Sequence, residues 1–64
     1  MISVDNQDNR AGGIMFEFKG LSTDTKPTST YNNANILNGS TFIAMDTLKV
    51  YFYDEDSSDW VGGV

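Results

Sequence analysis

The sequence predicts an all-β protein, a small antiparallel β-meander of three to four strands with a disordered N-terminal tail and one long loop. Three observations predict it. Ile14, Phe16 and Phe18 alternate with Met15, Glu17 and Lys19, and a later stretch sets Leu48, Val50 and Phe52 against Lys49, Tyr51 and Tyr53. Turn-forming residues punctuate the chain at Gly20, at Asn38-Gly39, at Asp46-Thr47 and along the acidic run from Asp54 to Asp59. No window carries apolar residues at the spacing of a helical stripe.

Residues 1–13 read as a flexible tail. Asp5 to Arg10 are all polar, Gly12-Gly13 interrupts any element, and too little apolar area is present to offset the entropy of ordering. Residues 14–64 read as a single small β domain. Its first strand covers Ile14 to Lys19 and stops at Gly20. Leu21 to Gly39 is a long connection rich in Ser, Thr and Asn, with one proline at Pro27. Tyr31, Ile36 and Leu37 are its candidates for pinning to the core. A loop of this length in so small a domain is often functional. Thr41 to Met45 is the second strand and Thr47 to Tyr53 the third, with Asp46-Thr47 marking the hairpin between them. After the acidic turn that begins at Asp54, Trp60-Val61 returns as a short fourth strand.

The expected core is Phe16, Phe18, Phe42, Val50, Phe52 and Trp60. Gly39, Asp46, Thr47 and Asp54 are the expected turn residues. Tyr51 and Tyr53 are candidates for a contact surface, because tyrosine suits positions that are half wet.

A chain of 64 residues buries only about 60% of the surface its unfolded form exposes, so its core alone supplies little stability. The usual supplements are disulfides, a metal or partner subunits. The sequence has neither cysteine nor histidine, which removes the first and the common zinc sites. Association, with itself or with other proteins, is the supplement left. The net charge of −5 opposes binding to nucleic acid and to anionic membranes. No apolar run has the length of a membrane span, and Met1 to Asn6 lacks the basic and apolar pattern of a secretory signal. The expected partners are therefore proteins, with no nucleic acid and no membrane.

Candidate chemistry is sparse. Without His or Cys the common nucleophile–base pairs are missing, and a few short strands do not readily build the desolvated cleft that a carboxylate pair needs. No catalytic residues are assigned and no cofactor is expected. Asp54, Asp56 and Ser58 occupy the first, third and fifth positions of a loop that recurs in calcium sites. The sixth position is Asp59 where such a loop needs glycine, so no metal ligands are assigned. Asn38-Gly39-Ser40 matches a glycosylation acceptor but reads as a turn.

The segment from Gly39 to Asp54, followed by Trp60, resembles a hairpin motif of small virion-associated proteins of tailed bacteriophages and prophages. The motif runs glycine, a small polar residue, an aromatic strand, Asp-Thr-Gly, Val-Tyr and two aromatics, Asp, an acidic turn and Trp. Gly39, Asp46, Thr47, Tyr51, Asp54 and Trp60 are the matching positions, and Gly20 to Thr28 is similar to the stretch that precedes the motif. The resemblance implies a non-catalytic structural protein made in the bacterial cytoplasm and located in the virion. It would dock on head, connector, tail or fibre subunits as an accessory or decoration component, or associate with itself. Leu48 departs from the pattern, standing where the family's hairpin has glycine; either the turn type differs from the family's or a partner surface holds Leu48. Two other functions fit the composition. Tyr51, Tyr53 and Trp60 could form a platform for carbohydrate or receptor binding, and the acidic surface could serve a regulatory protein that binds a host protein.

Overall fold

The computed structural model describes residues 2–63. Among these described residues seven strands follow one another: β1 (Ser3–Arg10), β2 (Gly13–Gly20), β3 (Thr30–Tyr31), β4 (Ala34–Asn35), β5 (Thr41–Ala44), β6 (Lys49–Asp54) and β7 (Asp59–Gly62). Five of them form one sheet in the order β1-β2-β5-β6-β7, and β3 and β4 form a small separate ribbon. The fold is all-β, and β5-β6-β7 is an antiparallel meander.

Of the flexible tail expected over residues 1–13, Ser3 to Arg10 instead form a strand, and Met1 lies outside the described residues. β1 pairs antiparallel with β2, from Ser3 opposite Lys19 to Arg10 opposite Gly13, with a bulge between Val4 and Asn6. Gly12, at φ 90°, supplies the turn conformation that joins them. Two apolar side chains, Ile2 and Val4, suffice to fix this strand's face, because both pack on the core. The remaining polar residues suit a sheet edge, where the ladder to β2 satisfies the backbone and water solvates the side chains. Asp5 at the bulge also pairs with Lys19 at 2.5 Å.

β2 and β5 run parallel, with Phe18 opposite Phe42. A parallel pair needs a crossover, and residues 21–40 provide it by lying across one face of the sheet. The long loop is therefore a strap that carries structure of its own. Asn32 and Asn33 both adopt positive φ (51° and 65°) and close the β3–β4 turn, a conformation asparagine tolerates well. Ile36 bridges Ile14 and is buried.

The core lies between the strap and the sheet. It comprises Phe16, Phe18, Ile36, Phe42, Ala44, Tyr53 and Trp60, with Ile14, Tyr31, Ala34 and Tyr51 packed against it. Its rings form one connected group. Phe16 stacks on Phe18 at 5.0 Å, Tyr31 meets both edge-on, and Trp60 meets Phe18, Phe42 and Tyr53 edge-on. Ser40 is the one buried polar side chain among the described residues, and its hydroxyl accepts the backbone N–H of Phe16 at 3.0 Å. That bond satisfies a donor where the strap re-enters the sheet.

Candidate functional site

The register of β6 reverses part of the expected core. Tyr51 lies opposite Phe42 and Tyr53 opposite Trp60, which places both tyrosines on the strap side. Tyr53 is buried and Tyr51 is half-buried. Val50 and Phe52 therefore point away from the core. Phe52 is exposed and Val50 is half-buried on the open face, so neither belongs to the core cluster. The contact surface expected at Tyr51 and Tyr53 is accordingly corrected: these side chains anchor the strap. The Tyr53 hydroxyl accepts the N–H of Ser29 at 2.8 Å, and the ammonium of Lys26 sits over the Tyr51 ring at 4.3 Å and the Phe42 ring at 5.0 Å. Trp60 donates its indole N–H to the Pro27 carbonyl at 2.8 Å. With Tyr51, Tyr53 and Trp60 turned beneath the strap, no aromatic platform stands at these positions.

The turn residues are used as structural joints. Gly39 adopts φ 89°. The Asp46 carboxylate accepts the Ser22 hydroxyl at 2.6 Å and the Ser22 N–H at 2.9 Å, which ties the start of the strap to the β5–β6 turn. Asp54 accepts the N–H of Asp56 at 3.1 Å and the Ser57 hydroxyl at 3.1 Å, spending its oxygens on its own turn. No group of three or more His, Cys, Asp or Glu among the described residues is placed to hold a metal ion. Asn38 and Glu55 hold each other reciprocally: the Asn38 N–H donates to the Glu55 carboxylate at 2.8 Å, and the Glu55 N–H donates to the Asn38 side-chain oxygen at 2.6 Å. With Ser40 buried, the glycosylation pattern at Asn38 is a folded turn.

The hydrogen bonds from Ser22, the hydroxyl first and the N–H second, hold the Asp46 carboxyl below its ordinary value. Asp24 is also lowered, chiefly by the Leu21 N–H, which it accepts at 2.8 Å. A carboxyl depressed in the folded state adds stability above its unfolded value, and that stability is lost as pH falls through the folded value. The melting temperature is therefore expected to decline below about pH 4. Asp46→Asn should show a shallower decline, measured by circular dichroism melts across an acid series.

One concavity of about 180 Å³ is lined by Ser29, Asn35, Ile36, Tyr53, Glu55 and Ser58. It falls short of the roughly 300 Å³ at which small-molecule sites begin. The chemically distinctive surfaces are apolar instead. At one end of the sheet, the β5–β6 turn exposes Met45 and Leu48, and the adjoining start of the strap exposes Leu21. The two turns are joined by the Ser22–Asp46 bonds and by the Met45 N–H, which donates to the Gly20 carbonyl at 2.8 Å. The opposite end carries Asp54, Glu55, Asp56 and Asp59 around the β6–β7 turn.

Leu48 stands out within this apolar end. It adopts φ 57° and is 72% exposed. A left-handed leucine costs on the order of 1 kcal/mol, and here no burial offsets it. Ser58 holds the same conformation, φ 53°, at the corresponding place in the β6–β7 turn. The two four-residue turns thus share a left-handed last residue, and only one of them presents a large apolar side chain there. Leu48→Gly is expected to raise unfolding free energy by up to about 1 kcal/mol, as relief of the backbone cost outweighs the added freedom of the unfolded chain. Urea titration of the two proteins measures the difference.

Sequence reasoning named Leu48 but missed Leu21 and Met45. Their only signal was an apolar residue directly beside a turn. No family model, no curated protein and no solved structure matches the chain.

Proposed function

We propose that the chain is a non-catalytic structural protein of a tailed-bacteriophage or prophage particle, docking on other virion subunits through the apolar end formed by Leu21, Met45 and Leu48. One observation carries the docking surface: a large apolar side chain is held largely in water at a backbone site where glycine would cost less. Strain kept at an exposed position is accounted for when a partner receives the side chain. Met45 and Leu21 widen that contact beyond a single residue, as a docking patch requires. The assignment to a virion rests on the resemblance of Gly39 to Asp54 and Trp60 to the phage hairpin. The matching positions do structural work in that hairpin, since Asp46 joins strap to turn and Trp60 fills the core.

The test is copurification. The protein expressed from its own genome should band with intact particles, and Leu48→Asn should fold normally yet be depleted from them. Its consistent absence from particles would remove the virion assignment. Equal incorporation of Leu48→Asn would move the docking surface elsewhere.

A further inference from the structure

Asn38-Gly39 is the only step from asparagine to glycine in the sequence, and each of the other asparagines precedes a residue that carries a side chain. The difference is chemical. The backbone nitrogen of a following glycine is open to attack the asparagine side chain, whereas a side chain on that residue shields it. Asn38 and Gly39 are both exposed, so water reaches the pair. The fold nonetheless engages both reacting groups. The Asn38 side-chain oxygen accepts the N–H of Glu55 at 2.6 Å, and the Gly39 N–H donates to the Tyr53 carbonyl at 3.3 Å. The Glu55 carboxylate accepts the Asn38 N–H at 2.8 Å, which sets a negative charge beside the peptide that would react.

We infer that Asn38 is a site of self-deamidation, gated by its clamp with Glu55. The step consumes water and releases ammonia. The Gly39 nitrogen gives its proton to solvent base and attacks the Asn38 side-chain carbonyl carbon. The new C–N bond closes a succinimide ring as the old C–N bond breaks, and the amide nitrogen takes up a proton and leaves as ammonia. Water then opens the ring at one carbonyl or the other, to give isoaspartate or aspartate. The closed clamp opposes the first of these events. A nitrogen that donates to Tyr53 keeps its proton, and the Glu55 charge disfavours an amide anion beside it. An Asn38 side chain held by the Glu55 N–H is not free to turn over its own following peptide. Reaction therefore passes through local opening of the clamp, and its rate carries the opened fraction as a factor.

The products do not restore what was opened. Either of them adds a carboxylate beside that of Glu55, where like charges repel. Isoaspartate also inserts a methylene into the backbone between residues 38 and 39. That insertion moves the Gly39 N–H away from the Tyr53 carbonyl and disturbs Ser40. The Ser40 carbonyl accepts the Tyr53 N–H at 2.9 Å, and its buried hydroxyl accepts the Phe16 N–H at 3.0 Å. The end of the strap is thereby unfastened from β6 and from the β6–β7 turn, and the change is one-way. This inference draws on neither the apolar end nor the virion assignment.

Peptide mapping by mass spectrometry, on the purified chain held in mildly alkaline buffer, reads the conversion at Asn38. The folded wild type should convert at least about tenfold more slowly than the same chain unfolded in urea, because reaction waits on local opening. Glu55→Ala, shown to be folded by circular dichroism, should convert about threefold to tenfold faster than the folded wild type, the effect of one exposed hydrogen bond lost. The isoaspartate form, separated by anion exchange, should melt below the unmodified protein. An unfolded chain that leaves Asn38 intact overturns the inference, as does a folded wild type that converts as fast as the unfolded chain. A folded Glu55→Ala that converts at the wild-type rate, or an isoaspartate form that melts like the unmodified protein, overturns it equally. Should Glu55→Ala unfold, amide hydrogen exchange at Gly39 of the wild type decides: protection that matches the slowing supports the gate, and an unprotected Gly39 amide overturns it.

Discussion

Phe18→Ala is expected to leave the protein largely unfolded in water. Phe18 is fully buried at the centre of the ring group: it stacks on Phe16 at 5.0 Å, and Tyr31 and Trp60 meet it edge-on at 5.0 and 5.9 Å. Truncating a buried phenylalanine costs about 3–5 kcal/mol, from lost transfer energy and the cavity left behind. A core of this size supplies about as much in total. The site has little means to collapse, because Phe18 lies in the middle of β2 with β1 paired on one side and β5 on the other. Phe52→Ala provides the contrast. Truncating this half-exposed ring should cost about 1 kcal/mol. Urea titrations of both variants against the wild type measure the two costs. Similar losses would contradict the assignment of Phe18 to the core and Phe52 to the open face.

The contrast matters because the sequence treats these two phenylalanines alike. β2 was legible: its alternate residues differ sharply in character, with Phe16 and Phe18 against Glu17 and Lys19, so only one face can be buried. β6 is apolar or aromatic at both parities, and alternation could not choose between Val50 with Phe52 and Tyr51 with Tyr53. Leu48 tipped the reading toward the first pair, yet it belongs to the turn and has no strand parity. The deciding information is the register against Phe42 and the strap above it, both of which are set by tertiary pairing. An open face with its own apolar stripe is what a two-sided apolar strand looks like once one side is taken.

β1 was missed for a related reason. Burial was the criterion for order, and a polar edge strand gains order from its backbone ladder with only Ile2 and Val4 on the core. The parallel pairing of β2 and β5 left no trace in local sequence, since a crossover is recognised by where it lands. Within the strap, the Asn32-Asn33 turn between Tyr31 and Ala34 was not singled out, although asparagine is a common turn residue. Of the apolar end, only Leu48 was legible, as a departure from glycine in a hairpin pattern. Met45 and Leu21 joined it once the Ser22–Asp46 bonds brought the two turns together.

Trp60→Ala carries the second large effect, and it separates two roles of one side chain. The indole fills space between Phe18, Phe42 and Tyr53, and its N–H holds the strap at Pro27. Loss of the ring should cost about 3–5 kcal/mol and unfold the chain, as truncating Phe18 does. Trp60→Phe keeps most of the ring mass and removes the bond to the Pro27 carbonyl, for about 1–3 kcal/mol in smaller volume and a lost hydrogen bond. That variant should remain folded with a loosened strap. Other anchors still hold the strap, among them Ser22 on Asp46, Lys26 over Tyr51 and Phe42, and Ser29 on Tyr53. Amide hydrogen exchange should therefore quicken around Pro27 and Ser29 in Trp60→Phe, while β2 and β5 exchange at wild-type rates relative to global unfolding. Uniform acceleration across the sheet and strap together would mean that Trp60 acts only as core mass. Selective acceleration in the strap would establish that the cover over the core is a separately held element, fastened by side chains of β6 and β7.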